Sequence, residues 1–314
     1  MPLKSKEMYD RLNANIKKAI FGKEEQTKLI FISLVAGGHV LLEDVPGVGK
    51  TKLAESFARS LDMSLKRIQF TPDLLPQDLI GVNIYNPKEQ EFTFRKGPIF
   101  TNILLADEIN RATPKTQSAL LEAMQEKKVT VDGVDYELPG EFMVLATQNP
   151  VESSGTFELP EAQLDRFFMK ISMGYPSRED ELTIMDTYGR FKETEQLQPV
   201  LTGQDLVDIR REIEQEVKVS DDIKNYIVEL VQTTRRMDTV LLGASPRATI
   251  MLAKAAKINA AIEGRDYVIP DDVKAMCIPV LAHRVVLKGM DFDRTPEDVI
   301  NQLLEEVKAP FEEV

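Results

Sequence analysis

The amino-acid sequence predicts an α/β fold. We expect a five-stranded parallel sheet with flanking helices and two β-hairpin inserts, followed by an all-α helical lid domain. Three observations carry this expectation. Short apolar runs at 39–43, 65–70, 103–107, 142–147 and 167–173 alternate with segments of helical period, the pattern of a parallel sheet covered by helices. Two intervening stretches, 84–94 and 129–138, alternate in hydropathy about turn-forming centres. After Tyr175-Pro176 helical patterns take over, with no strand signal of comparable strength. The domain boundary is therefore placed near 174–178, giving an α/β domain over 1–175 and a helical domain over 176–314.

Taken in order, residues 5–36 read as helical with a break at Phe21-Gly22. The first strand, His39–Glu43, runs into a glycine-containing loop. The next helix carries Leu53, Ala54, Phe57, Ala58 and Leu61 on one face, which is helical spacing. The third and fourth strands are nearly continuous apolar runs, as expected where both faces are covered. Thr113-Pro114 opens the helix after the third strand, with threonine as cap and proline in the first turn. Asp132-Gly133 is the two-residue turn of one hairpin, and Asn86-Pro87-Lys88-Glu89 the centre of the other. Further helices are expected at 179–188, 204–218, 221–236, 246–263, 271–283 and 296–307.

Composition narrows the function. The 314 residues include 43% hydrophobic and 29% charged, the balance of an ordinary globular protein. The formal net charge is −12, a field that repels nucleic acid unless basic residues are segregated, and no such block is present. One cysteine, Cys277, excludes an intrachain disulfide, and two histidines make a zinc site improbable. The first residues lack a signal-peptide core, and the most apolar stretch, Leu29–Ala36, is too short to span a bilayer. A cytoplasmic location without membrane insertion is expected.

Chemistry concentrates at the C-terminal ends of the strands. Pro46-Gly47-Val48-Gly49-Lys50-Thr51 lies between a strand and a helix. Glycines there let backbone N–H groups turn toward a phosphate, and the following helix directs its positive end at the same point. Lys50 can reach the β- and γ-phosphates of ATP, and the Thr51 hydroxyl can ligate Mg²⁺. The general pattern GxxxxGK(S/T) has Asp44 in place of its first glycine. The apolar run Ile103–Ala106 ends in Asp107 and Glu108. Paired carboxylates at a buried strand's tip suit a cation: Asp107 would hold Mg²⁺, and Glu108 would polarise the attacking water. Asn149 ends the fourth strand and can orient that water; an ordinary Asn-Pro turn explains it equally well.

These residues together resemble the MoxR family of AAA+ ATPases. The resemblance is carried by Leu41–Thr51, Asp107-Glu108-Ile109-Asn110-Arg111, Ala146-Thr147-Gln148-Asn149-Pro150, Leu159–Phe167 and Gly243–Ala248. It covers most of the chain, and the Asp44 form of the phosphate loop looks like one the family uses. The resemblance implies an AAA+ P-loop sheet and a nucleotide-binding set of Pro46, Gly47, Val48, Gly49, Lys50, Thr51, Lys52 and Asp107. It implies that Phe21 and Gly22 pack on adenine, where a helix break packed on the core is the alternative. Arg166 matches the arginine finger that reaches a neighbouring subunit's γ-phosphate; on the residues alone, a surface arginine paired with Asp165 is favoured. Arg247 matches the sensor-2 arginine, acting in its own subunit or across an interface. A cation at a helix start opposes the helix dipole, which suggests it serves something else. The hairpins match the helix-2 and pre-sensor-1 inserts.

What the resemblance implies about function is a homo-hexameric, chaperone-like ATPase that remodels or matures protein clients. Such proteins often insert metal or cofactors, alongside partners with a von Willebrand factor A domain. A nucleic-acid motor is disfavoured because the hairpin tip is Asp132-Gly133, with Asp135 beyond it. A nucleotide-gated switch with little turnover is disfavoured by Glu108.

Overall fold

Alternation along the buried strands sets the layering. In a computed structural model, Val40 and Leu42, Ile103 and Leu105, and Met143 and Leu145 face one apolar cluster; Leu41, Leu104, Ala106, Val144 and Ala146 face another. Successive side chains on a strand point to opposite faces, so apolar runs of this kind bury the sheet on both sides. The structure describes residues 3–43, 47–149, 155–189, 197–289 and 294–310.

The chain begins with α1 (Lys4–Ile16), α2 (Glu24–Val35), β1 (Val40–Glu43), α3 (Lys50–Ser60) and β2 (Leu65–Gln69). A short helix, α4 (Pro76–Ile80), leads into the hairpin β3 (Gly81–Asn86) and β4 (Glu91–Lys96). Next come β5 (Ile103–Asp107), α5 (Pro114–Glu126), the hairpin β6 (Lys128–Val131) and β7 (Val134–Glu137), β8 (Met143–Gln148), α6 (Glu161–Leu164) and β9 (Met169–Ser172). The sheet order is β2-β5-β8-β1-β9, every pair parallel. Register aligns Gln69 with Asp107, Ala106 with Ala146, and Glu43 with Gln148. The C-terminal ends of β2, β5, β8 and β1 therefore share one edge, where open α/β sheets bind ligands.

The remainder is α7 (Arg178–Tyr188), α8 (Gly203–Glu216), α9 (Asp221–Thr233), β10 (Val240–Leu242), α10 (Pro246–Ile262), α11 (Pro270–Leu281), β11 (Val286–Leu287) and α12 (Pro296–Glu306). Helices dominate as expected. The antiparallel ribbon of β10 and β11 is a small addition, too short to leave a period in the sequence. The apolar cluster on the α3 side of the sheet continues through Leu206, Ile209, Leu230, Leu252 and Val280. Arg210 on α8 fastens this continuity: it donates to the carbonyls of Leu34 (2.9 Å) and Val35 (2.7 Å) and pairs with Glu141 at 2.6 Å. A guanidinium there meets the carbonyl end of α2, where a helix leaves acceptors unpaired.

Both hairpins form as expected, and they touch. Phe94 stacks on Tyr136 with ring centroids 4.0 Å apart, and Asn83 donates to Asp132 at 2.6 Å.

Candidate nucleotide site

The loop before α3 turns on glycines. Gly47 and Gly49 have φ of +89° and +90°, conformations that side chains with a Cβ rarely adopt. Nothing lies within 4 Å of where a Cβ would stand on either. The open space over the loop accommodates a phosphate group, and α3 begins immediately after with Gly49 as its N-cap. Pro46, expected to belong to this loop, lies outside the described residues.

A cavity of about 390 Å³ opens above it, lined by Gly47, Gly49, Lys50, Thr51, Lys52, Asp107, Glu108 and Asn149. The five side chains singled out in the sequence, Lys50, Thr51, Asp107, Glu108 and Asn149, are brought together here from α3, the tip of β5 and the end of β8. Arg67, Gln69 and Thr147 complete the wall.

The carboxylates are held in detail. Asp107 accepts from Arg67 at 2.5 Å and from the Thr147 hydroxyl at 3.3 Å. Glu108 sits at φ 55°, ψ 53°, a left-handed conformation that is costly for a residue with a side chain. Its N–H donates to Thr147 Oγ1 at 2.9 Å. Its carboxylate accepts from Gln69 at 2.7 Å and Arg111 at 3.0 Å. That backbone turn aims Glu108 along the sheet edge while Asp107 stays in the strand. A donor set of one hydroxyl and one carboxylate suits Mg²⁺, which completes its octahedron with water and phosphate oxygens rather than a protein cage. No cluster of three or more His, Cys, Asp or Glu side chains that could hold a metal occurs among the described residues.

A second cavity of about 340 Å³ lies on the other side of the loop, sharing Gly47, Gly49 and Lys52 with the first. Its walls are mostly apolar: Ile20, Phe21, Val48, Met173, Ile184 and Tyr188. Phe21 and Tyr188 meet edge to face with centroids 6.5 Å apart, and Lys52 stands 5.5 Å over the Tyr188 ring. Buried Lys23 donates to the carbonyls of Met173 (2.7 Å) and Gly174 (2.9 Å), tying the end of β9 to this wall. Gly22, expected beside Phe21, is not among the residues that line this cavity. Its φ is +64° and a Cβ would stand 2.1 Å from Asp180 of α7, so it makes the turn that presents Phe21.

Arg166 and Arg247 are elsewhere. They line a third cavity, of about 320 Å³, with Lys127, Lys254 and His39. Arg166 donates to the Leu121 carbonyl at 3.0 Å, and Arg247 stands 4.0 Å from Asp165. Neither lines the phosphate cavity of its own chain. The pairing of Arg166 with Asp165 that the residues alone favour does not form: Asp165 is held by Arg284 instead, at 2.8 Å.

Reasoning from sequence missed Arg67, Gln69, Thr147, Tyr188 and Arg284. Thr147 stood inside the run ending at Asn149 and Gln69 at a strand tip, so a strand-end rule finds both. Nothing local marks Tyr188 or Arg284.

A P-loop with paired strand-end carboxylates on a parallel sheet defines the class of nucleotide-binding P-loop ATPases. The model for the ATPase family associated with various cellular activities (AAA) matches residues 39–169, and that for the AAA lid domain matches 232–303. Chaperone MoxR1 of Mycobacterium tuberculosis is 43% identical over 312 residues, covering 96% of this chain and 82% of that protein. The uncharacterised protein YeaC of Bacillus subtilis is 50% identical over 300 residues, covering 95% and 93%. A crystal structure from Cytophaga hutchinsonii, of a protein classed provisionally as an ATPase, superposes with a TM-score of 0.91 at 40% identity, covering 98% of this chain and 96% of that one. The chain belongs to the MoxR family of AAA+ ATPases.

Proposed function

We propose that the protein binds and hydrolyses ATP and uses the cycle to remodel or mature protein clients. The observation that carries the first half is the meeting of Lys50, Thr51, Asp107, Glu108 and Asn149 around one cavity at the sheet edge. The adenine would occupy the apolar cavity beside Phe21 and Tyr188, and the phosphates the polar one, with the glycine loop between them.

Thr51 and Asp107 would hold Mg²⁺, which when bound neutralises charge on the β- and γ-phosphate oxygens. Lys50 supplies a further positive charge to the same oxygens. Glu108 accepts the proton of a water as its oxygen attacks the γ-phosphorus and the bond to the β–γ bridging oxygen breaks. Gln69 and Arg111 steady the Glu108 carboxylate, and Asn149 orients the water. Arg166 and Arg247 act on the nucleotide of a neighbouring subunit, a reading supported by their lining a different cavity from the phosphate cavity of their own chain. It implies a ring, which we take to be a homo-hexamer.

Protein clients, reached with a partner bearing a von Willebrand factor A domain and including metal or cofactor insertion, are favoured over nucleic acid. The net charge of −12 and the acidic hairpin tip support this. At the hairpin base, Lys128 is engaged by Asp135 at 2.5 Å and Lys127 lines the arginine cavity. No helix among the described residues is long and apolar enough to cross a membrane, and we place the protein's work in the cytoplasm.

The test is the Glu108→Gln variant. It should bind ATP and assemble with kcat reduced by about 10²-fold or more, the scale of losing a positioned general base. Co-purification with that variant should then retain the client. Hydrolysis at the wild-type rate would remove Glu108 from its role.

A further inference from the structure

Arg284 follows α11 by three residues and is only 6% exposed. Its guanidinium reaches across to the segment that carries Arg166. Nε donates to Asp165 Oδ1 at 2.8 Å, and Nη2 to the Asp165 carbonyl at 3.1 Å and to the Phe167 carbonyl. Nη1 donates to the Phe168 carbonyl at 3.4 Å and, on its own side, to the Val280 carbonyl. One side chain thus bonds the backbone before and after Arg166.

The other oxygen of Asp165 faces the start of α10. It accepts from Ser245 Oγ at 3.4 Å and lies 4.0 Å from Arg247 Nη1. Asp165 therefore stands between Arg284 and the turn that carries Arg247. The two arginines of the third cavity are joined through a single ion pair between buried Arg284 and half-buried Asp165.

An ion pair with one partner taken out of water is a poor source of stability; apolar residues of the same volume often do as well or better. Its planar fork, however, fixes orientation, which lysine or glutamine cannot reproduce. Burial lowers the Arg284 pKa to about 10, which leaves it charged at neutral pH.

We propose that Arg284 is a positioning residue that locks Arg166 and Arg247 into one unit, so that both are presented together to the neighbouring subunit's nucleotide. This rests on the reading of those two arginines as acting across a subunit interface. Arg284 itself touches no nucleotide.

The test uses the full chain with Arg284→Gln, Arg284→Lys and Asp165→Asn, each beside Arg166→Ala. Affinity for a fluorescent ATP analogue should stay near wild type in all four, because the phosphate and base cavities contain none of these residues. The kcat should fall by about 10²-fold in Arg284→Gln, the scale of a 1 Å misplacement, with KM little changed. Arg284→Lys should recover only part of this. The decisive measurement mixes each variant with Glu108→Gln subunits, which cannot hydrolyse but carry intact arginines. Activity absent from either protein alone should appear in the mixture, for Arg284→Gln as for Arg166→Ala. If Arg284→Gln does not fold, Arg284→Lys and Asp165→Asn must show the same complementation.

Three results would overturn the proposal. One is hydrolysis by Arg284→Gln at the wild-type rate. A second is failure of the Arg284 and Asp165 variants to be complemented while Arg166→Ala is rescued, which would make the pair ordinary structure and leave the finger reading intact. A third is full activity of Arg166→Ala alone, which would remove the finger reading and this proposal with it.

Discussion

The backbone N–H of Glu108 donates to the hydroxyl of Thr147 at 2.9 Å, across from the neighbouring strand. The same hydroxyl donates to Asp107 at 3.3 Å. One small side chain near the end of β8 therefore holds the Asp107 carboxylate and the Glu108 backbone, and with them the left-handed turn at Glu108.

Thr147→Val keeps the shape and removes the hydroxyl. It orphans the Glu108 N–H, which costs about 1–3 kcal/mol of stability. The turn should relax, lowering kcat by about 10–10²-fold through misplacement of the carboxylate. Denaturant titration and steady-state ATPase assays check both effects. Unaltered kcat would mean that Thr147 does not set the geometry.

Phe21→Ala should act on binding alone. Phe21 lines the apolar cavity and no atom of the phosphate cavity. A base stacked on an aromatic ring is worth about 1–3 kcal/mol, so Kd for ATP should rise by roughly tenfold or more. The kcat at saturation should not move. Tyr188→Ala should behave alike, and isothermal titration with ADP would measure both.

Acid should destabilise the fold through His39. Its Nδ1 accepts from the Val144 N–H at 3.0 Å, so Nε2 carries the proton and donates to the Met124 carbonyl at 3.1 Å. Burial lowers its pKa from 6.5 to about 4. Between those values the unfolded chain binds a proton that the folded chain does not, so stability rises with pH in that window and falls as pH drops from about 6.5 toward 4. Buried His283, also shifted well down, adds in the same direction. At pH 5 the His39 contribution is about 2 kcal/mol. Urea titrations at pH 7 and pH 5 should show a smaller loss for His39→Gln than for wild type by roughly that amount.

DNA should not bind. With Lys128 held by Asp135 and Asp132 at the hairpin tip, a phosphate backbone meets like charge. Gel-shift assays across salt concentrations should show no retardation at ~0.1 M salt; a complex that weakens steeply with salt would revive the motor reading.

The sequence by itself determined the types and order of the main strands and helices, though not of short pieces such as the β10–β11 ribbon. Strand and helix periods, glycine loops and turn dipeptides act over a few residues, so Gly47–Thr51 and the Asp107-Glu108 tip were legible where they stand. Tertiary structure alone decided what faces them. Gln69 meets Glu108 because β2 lies beside β5, and Tyr188 meets Phe21 because α7 folds back over the first helices. Arg284 reaches Asp165 across 119 residues of chain, and Arg166 and Arg247 share a cavity away from their own phosphate site. The reason is physical: backbone preference is local, whereas which side chains meet depends on how buried apolar faces pack, and that information is spread over the whole chain.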